Sequence, residues 1–181
     1  MTSMYPSIPY QDLIQTYNLR DVRVFPPPRP PVSAQSLLGF LQQPEYSLFR
    51  HMVNVSQFQG TLDDIQFQGT LLLPTDTDIL KEFPMDMFME MDRNTARVLL
   101  NYHIFPNIIK YRCLQTRRLS KLDTRDPKSE IVFECTPEGI YMNGGKARIL
   151  EEIIKDNGTI LKISSLLIPP EWYGTGYTLK F

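Results

Sequence analysis

Histidine is the side chain most suited to moving protons or holding metals near neutral pH, and the chain has two, His51 and His103. Neither has a Cys or carboxylate at metal-ligand spacing, so no zinc site is expected. His103 follows Tyr102 near a helix end ahead of Pro106 and reads as a buried imidazole satisfied by backbone, not as a general base. Asp76, Asp78, Asp86 and Asp92 form an acidic series, yet the central Gly and terminal Glu of a calcium loop are absent, and helix capping accounts better for Asp76 and Asp78. Cys113 and Cys135 lack a nearby His or a Cys-x-x-Cys partner, and a chain this long can bury a core without a bridge, so both are expected to be free, buried thiols. Gly144-Gly145 has no Gly-Lys-Ser/Thr behind it and reads as a turn. With no set of nucleophile, base and orienting group, the residues predict no catalytic site, no cofactor, no metal and no small-molecule substrate.

Two clusters suit binding better than chemistry. Met85-Asp-Met-Phe-Met-Glu-Met91 packs four methionines and Phe88 into a short stretch, either an adaptable docking surface or filler for the domain's own core. Lys110-Tyr-Arg112, Arg117-Arg118 and Lys121 form a basic stretch that nearby Asp and Glu answer, which predicts a solvated face and not an RNA site. The whole chain of 181 residues balances 19 Lys+Arg against 20 Asp+Glu, so no basic surplus points to nucleic acid. The longest apolar stretches, around Leu71–Pro74 and Ser164–Pro169, fall far short of the roughly 20 residues that span a bilayer. Residues 1–10 carry neither a basic n-region nor an apolar h-region, which predicts an intracellular or virion location. The sequons at Asn54 and Asn157 would then go unused, and the second is equally a turn signal.

The elements that must position these residues fall into three parts. Seven of the 15 prolines lie in the first 31 residues, and Phe25-Pro26-Pro27-Pro28-Arg29-Pro30-Pro31 must be extended, because each Pro fixes φ and bars its predecessor from the helical region. Before it, Asp12 caps a predicted short helix with Leu13, Ile14 and Tyr17 on one face, a stripe too small to form a core alone. From Ser33, helical spacing of Leu37, Leu38, Phe40 and Leu41, a break at Pro44, and then Leu48, Phe49, Met52 and Val53 predict two short helices. Gly69–Pro74 reads as strand, a helix starts near Asn94 with Val98, Leu99 and Tyr102 inward, and strands are expected at 131–135, 139–142 and 159–168. In Lys146–Lys155, Ile149, Leu150, Ile153 and Ile154 recur at helical spacing, so propensity alone favours helix.

The order of these pieces resembles the fasciclin-1 (FAS1) domain. Pro44-Glu-Tyr-Ser47 with Phe49 is similar to its opening region, and Gly69-Thr-Leu-Leu-Leu-Pro74-Thr75-Asp76-Thr77-Asp78-Ile79 to its T-x-F-A-P-T-N block. Leu99-Leu-Asn-Tyr102-His103-Ile-Phe-Pro106 resembles its Tyr-His stretch, and Asn143-Gly-Gly through Asn157-Gly158 to Pro169-Pro170 its closing N-G-x-I-H-x-I-D-x-V-L-x-P strand pair. The resemblance implies a compact α+β fold, a β-sheet wedge with several short helices, and it turns the 147–156 region from helix into strand. It also implies structural roles for Pro74, Thr75, Asp76, Tyr102, His103, Asn157 and Gly158, although the Tyr-His region binds integrins in some members. The sequence departs from the family at Asp76 (usually Asn), at Leu73 before Pro74 (usually Ala), and at Lys162 and Ser164 (usually His and Asp).

The resulting expectation is an extended Pro-rich arm (1–32), a FAS1-like domain (33–170) and an aromatic tail (171–181). The chain would be a non-enzymatic, cement-type minor component of a large assembly such as a large-virus capsid. Leu13, Ile14, Tyr17, Phe25, Pro26, Pro27, Pro28, Trp172, Tyr173 and Tyr177 would hold neighbouring protein subunits, without nucleic acid or a membrane span. The other reading is a cell-adhesion or matrix protein that binds an extracellular receptor or glycan through the Tyr102 region.

Overall fold

The computed structural model describes residues 34–126, 129–170 and Trp172. The chain divides into two units, Met1–Pro31 and Val32–Phe181, and the first lies wholly outside the described residues. So do the expected arm residues Leu13, Ile14, Tyr17 and Phe25–Pro28, and Tyr173 and Tyr177 of the tail.

Short helices come first, not all of them capped locally. α1 (Leu37–Phe40) is capped by the Ser36 side chain; a 3₁₀ turn at Pro44–Tyr46 then leads into α2 (Ser47–Ser56), whose Leu48, Phe49, Met52 and Val53 are buried on one face. α3 (Gln59–Asp63) precedes β1 (Gly69–Leu73). Three more helices follow: α4 (Asp76–Leu80), α5 (Met85–Met89) and α6 (Arg93–Asn101), the last capped by Asp92, which accepts from Thr95 N–H. β2 (Ile104–Phe105), α7 (Tyr111–Leu114), β3 (Leu119–Asp123), β4 (Glu130–Thr136), β5 (Gly139–Met142), β6 (Ala147–Lys155) and β7 (Gly158–Ile163) complete the fold.

The strands form one seven-stranded sheet in the order β2-β1-β7-β6-β5-β4-β3. All neighbours are antiparallel except β1 and β7, which run parallel with Leu71 opposite Ile160. β1 is apolar on both faces because both are covered, as a parallel pair requires. One side packs Leu71, Leu73 and Ile160 against the helices; the other places Leu72, Leu161 and Ile163 in the wedge, facing Ile131, Phe133, Ile140 and Met142. This is the expected α+β wedge.

The 147–155 segment is strand, and its geometry explains the helical spacing. A bulge at Leu150 shifts the register between Ile149 and Glu151, so Ile149 points into the wedge while Ile153 packs against the helix-side core. Leu150 and Ile154 are left 52% and 71% exposed. Four apolar residues that would share a helix face are therefore divided among both faces of the sheet and solvent. The last strand is shorter than the expected 159–168: the chain leaves the sheet after Ile163, and Ser164 turns to bond Arg148.

Candidate functional site

Two of the positions singled out in the sequence lie at the centre of the fold. Helix α6 ends at Tyr102, placing Tyr102 and His103 at the junction of the two core clusters, neither of them reaching solvent. His103 Nδ1 lies 2.8 Å from Leu99 O, and its Nε2 accepts the Leu167 N–H at 3.0 Å, so the ring is the neutral tautomer protonated on Nδ1. Burial pushes its pKa down from 6.5 to about 4, against the opposing pull of the Leu99 hydrogen bond. The rings of Phe49 and Tyr102 meet it edge-on, each at 6.1 Å. Both nitrogens are committed to backbone, which leaves no lone pair for a metal or a substrate proton. Neither side chain is exposed for direct contact with a receptor.

Asn143, the first residue of the Asn-Gly-Gly turn, joins this centre. Its Nδ2 donates to Tyr102 Oη at 2.8 Å and its Oδ1 accepts from Val132 N–H at 3.1 Å, so it ties the helix end to β4. The sequence signal was the Asn-Gly-Gly triplet: Asn143 adopts φ +52, a left-handed turn position that Asn tolerates.

The Pro74-Thr75-Asp76 block does two capping jobs. Thr75 and Asp78 form a capping box at the start of α4. Asp76 instead reaches to α2, accepting from Ser47 Oγ at 2.5 Å and Leu48 N–H at 2.8 Å. Tyr46, the residue before α2, offers no side-chain cap, so Asp76 fills that role from a distant element. Asn157 performs a third closure, accepting from Leu37 N–H at 2.8 Å and donating to Leu62 O and Asp64 O at 2.8 and 2.9 Å. Three of the four hydrogen-bonding positions of this buried amide are thus filled, and they include both hydrogens of Nδ2, the atom through which a glycan would attach. Gly158 follows with φ +157, and a Cβ there would sit 2.3 Å from Gly69 O; only glycine lets β7 start this close to β1.

At the rim of the helix-side core, Lys162 forms an ion pair with Glu151 at 3.5 Å and lies over the Tyr46 ring. Burial raises the Tyr46 pKa despite the nearby ammonium; for Lys162, burial pulls down, but hydrogen bonding to Tyr46 and the charges of Tyr46 and Glu151 outweigh it.

Other expectations need correction. Cys113 is exposed, next to the buried Leu114 of α7, and Cys135 is half-buried, packed against the wedge core without entering it. Trp172, assigned to the partner-binding tail, is instead 4% exposed within the helix-side core cluster, so the domain runs past 170 and this ring is unavailable to a neighbour. The Met85–Met91 stretch divides between its two readings: Phe88 is core and Met91 packs on it, whereas Met85 and Met89 face solvent. Among the described residues the basic stretch forms no ion pair with a nearby Asp or Glu, although Glu152 accepts the Tyr111 N–H within it at 2.7 Å. Among the described residues the ion pairs are Lys81–Asp78 and Lys162–Glu151, and none involves Lys110, Arg112, Arg117, Arg118 or Lys121.

That stretch borders a cleft of about 370 Å³ between the 108–117 segment and β3. Ile109, Leu114 and Leu122 line it, with Lys110, Arg117 and Lys121 around them. Among the described residues no group of three or more His, Cys, Asp or Glu could hold a metal ion, and no helix is long and apolar enough to cross a membrane.

Comparison with known proteins agrees with this architecture. The Fasciclin domain profile matches residues 44–169. Among solved structures, a FAS1 domain pair from the insect cell adhesion molecule fasciclin I is similar with 20% identity and a TM-score of 0.62, over 76% of this chain and 52% of that one. The chain thus spans about half the length of that structure. No curated protein matches the sequence significantly.

Proposed function

Because the chain belongs to the fasciclin-domain family, with the match covering residues 44–169, we propose that it is a non-enzymatic interaction protein, a cement-type component of a large assembly such as a large-virus capsid. The observation that carries this reading is the use made of the family-motif side chains. Asp76, Tyr102, His103 and Asn157 all spend their polar atoms on holding elements together, so binding falls to surfaces and extensions. The Pro-rich run Phe25–Pro31 suits a spacer that carries Leu13, Ile14 and Tyr17 to a neighbouring subunit, and the aromatic residues Tyr173 and Tyr177 suit a second attachment. With Trp172 in the core, the tail contribution is reduced to those residues after it.

Crosslinking mass spectrometry on native source material tests this reading. Links from residues 1–32 and 173–181 to a repeating structural subunit are expected, and incorporation should fail when residues 1–32 are deleted. Links confined to this chain, or links to a surface receptor, would replace the cement role with the adhesion role suggested by the cell adhesion molecule among its structural relatives.

A further inference from the structure

We propose that the cleft beside β3 binds an extended acidic peptide, which adds as a further strand along the free edge of β3. The edge comes first. Arg118 O accepts Cys135 N–H, and Thr124 N–H donates to Ser129 O, so the even-numbered residues from 118 to 124 turn their main chain toward β4. Leu119, Lys121 and Asp123 must then present N–H and C=O groups on the opposite side, where β3 is the last strand of the sheet. Just beyond, the next odd residue already uses this edge: Arg125 N–H donates to Ile104 O at 2.8 Å. The edge therefore takes main-chain partners where one is within reach and leaves open positions before it.

The charge names the occupant. Lys110, Arg117 and Lys121 line the cleft with no carboxylate among its described lining residues, and among the described residues neither they nor their sequence neighbours Arg112 and Arg118 form an ion pair. The apolar lining of Ile109, Leu114 and Leu122 offers sockets for alternate side chains of an extended peptide. A peptide alternating acidic and apolar residues fits all three features at once. A nucleic acid would use the cations but neither the strand edge nor the sockets, and the chain's net charge of −1 does not draw polyanions over a long range.

This inference rests on the reading of the chain as an interaction protein but not on its arm. The test is fluorescence anisotropy with the full chain and a short labelled peptide alternating Glu and Val. Parallel probes are the Lys/Val peptide, the Glu/Val peptide N-methylated at alternate residues, and a labelled oligo-dT. The Glu/Val peptide should bind, weaken about tenfold in the combined Lys110→Glu, Arg117→Glu, Lys121→Glu variant, and lose binding on N-methylation. Circular dichroism checks that the variant, altered only at exposed positions, stays folded. No binding, unchanged affinity of the N-methylated peptide, or equal affinity for oligo-dT would overturn the proposal. Failure here with intact intersubunit crosslinks removes the cleft alone, whereas peptide binding without those crosslinks removes the cement role alone.

Discussion

Protonating His103 in place would place a cation between two aromatic rings and cost Nε2 the Leu167 N–H it accepts. Its folded pKa, near 4, lies below the 6.5 of the free side chain, so between those values the unfolded chain binds more protons. The stability it confers is complete above about pH 6.5 and drains away as pH falls toward 4. Urea unfolding of the native chain should show this loss, about 3 kcal/mol of it traceable to His103, and the His103→Gln variant should give a flatter profile over the same window. Asn157 and Gly158 make a second residue-scale case. Asn157→Ala strands one N–H and two carbonyls and should cost about 2–4 kcal/mol in denaturant unfolding. Gly158→Ala drives a methyl into Gly69 O and should cost more than Asn157→Ala, because neither backbone can yield without unpairing β1 from β7.

At the scale of elements, stability is traded between neighbours in space that are remote in sequence. Helix α2 begins without a side-chain cap of its own and borrows Asp76 from the start of α4. Asp76→Ala should lower stability by about 1–2 kcal/mol, while Asp76→Asn, which keeps an acceptor for Leu48 N–H and restores the residue usual in the family, should cost less; paired denaturation curves distinguish them. The borrowing also marks where sequence reading stops. Local signals place the Pro44 break, the start of α6 near Asn94 and the Asn-Gly turns, but not the short helices α3, α5 and α7. Pairing across the sheet leaves no such local trace. Ile149 and Ile153 looked like one helix face because nothing nearby in sequence announces the bulge at Leu150, and only resemblance to a family supplied the strand. The cleft escaped for the same reason: whether Lys110, Arg117 and Lys121 find carboxylates depends on which strands fold beside them. The cysteines and Trp172 were misplaced because residue type sets average burial and not position.

For the molecule as a whole, the boundary of the folded unit lies beyond the last recognisable family motif. Trp172 fills space next to helix-side core residues, so Trp172→Ala should leave a cavity and lower stability by about 3–5 kcal/mol. A clamp residue would leave the isolated chain's thermal melt unchanged, and calorimetry separates the two. The parallel pairing of β1 with β7 carries a consequence for biosynthesis. Residues 69–73 find their partner only at 158–163, and Asn157 fastens the chain back to Leu37. During translation the first half of the domain therefore leaves the ribosome with β1 unpaired on one side, an apolar edge that waits for the last strand of the domain before it is covered. A chaperone or a pause in elongation that shielded this edge would act on a stage of the protein's life that ends when β7 slides between β1 and β6.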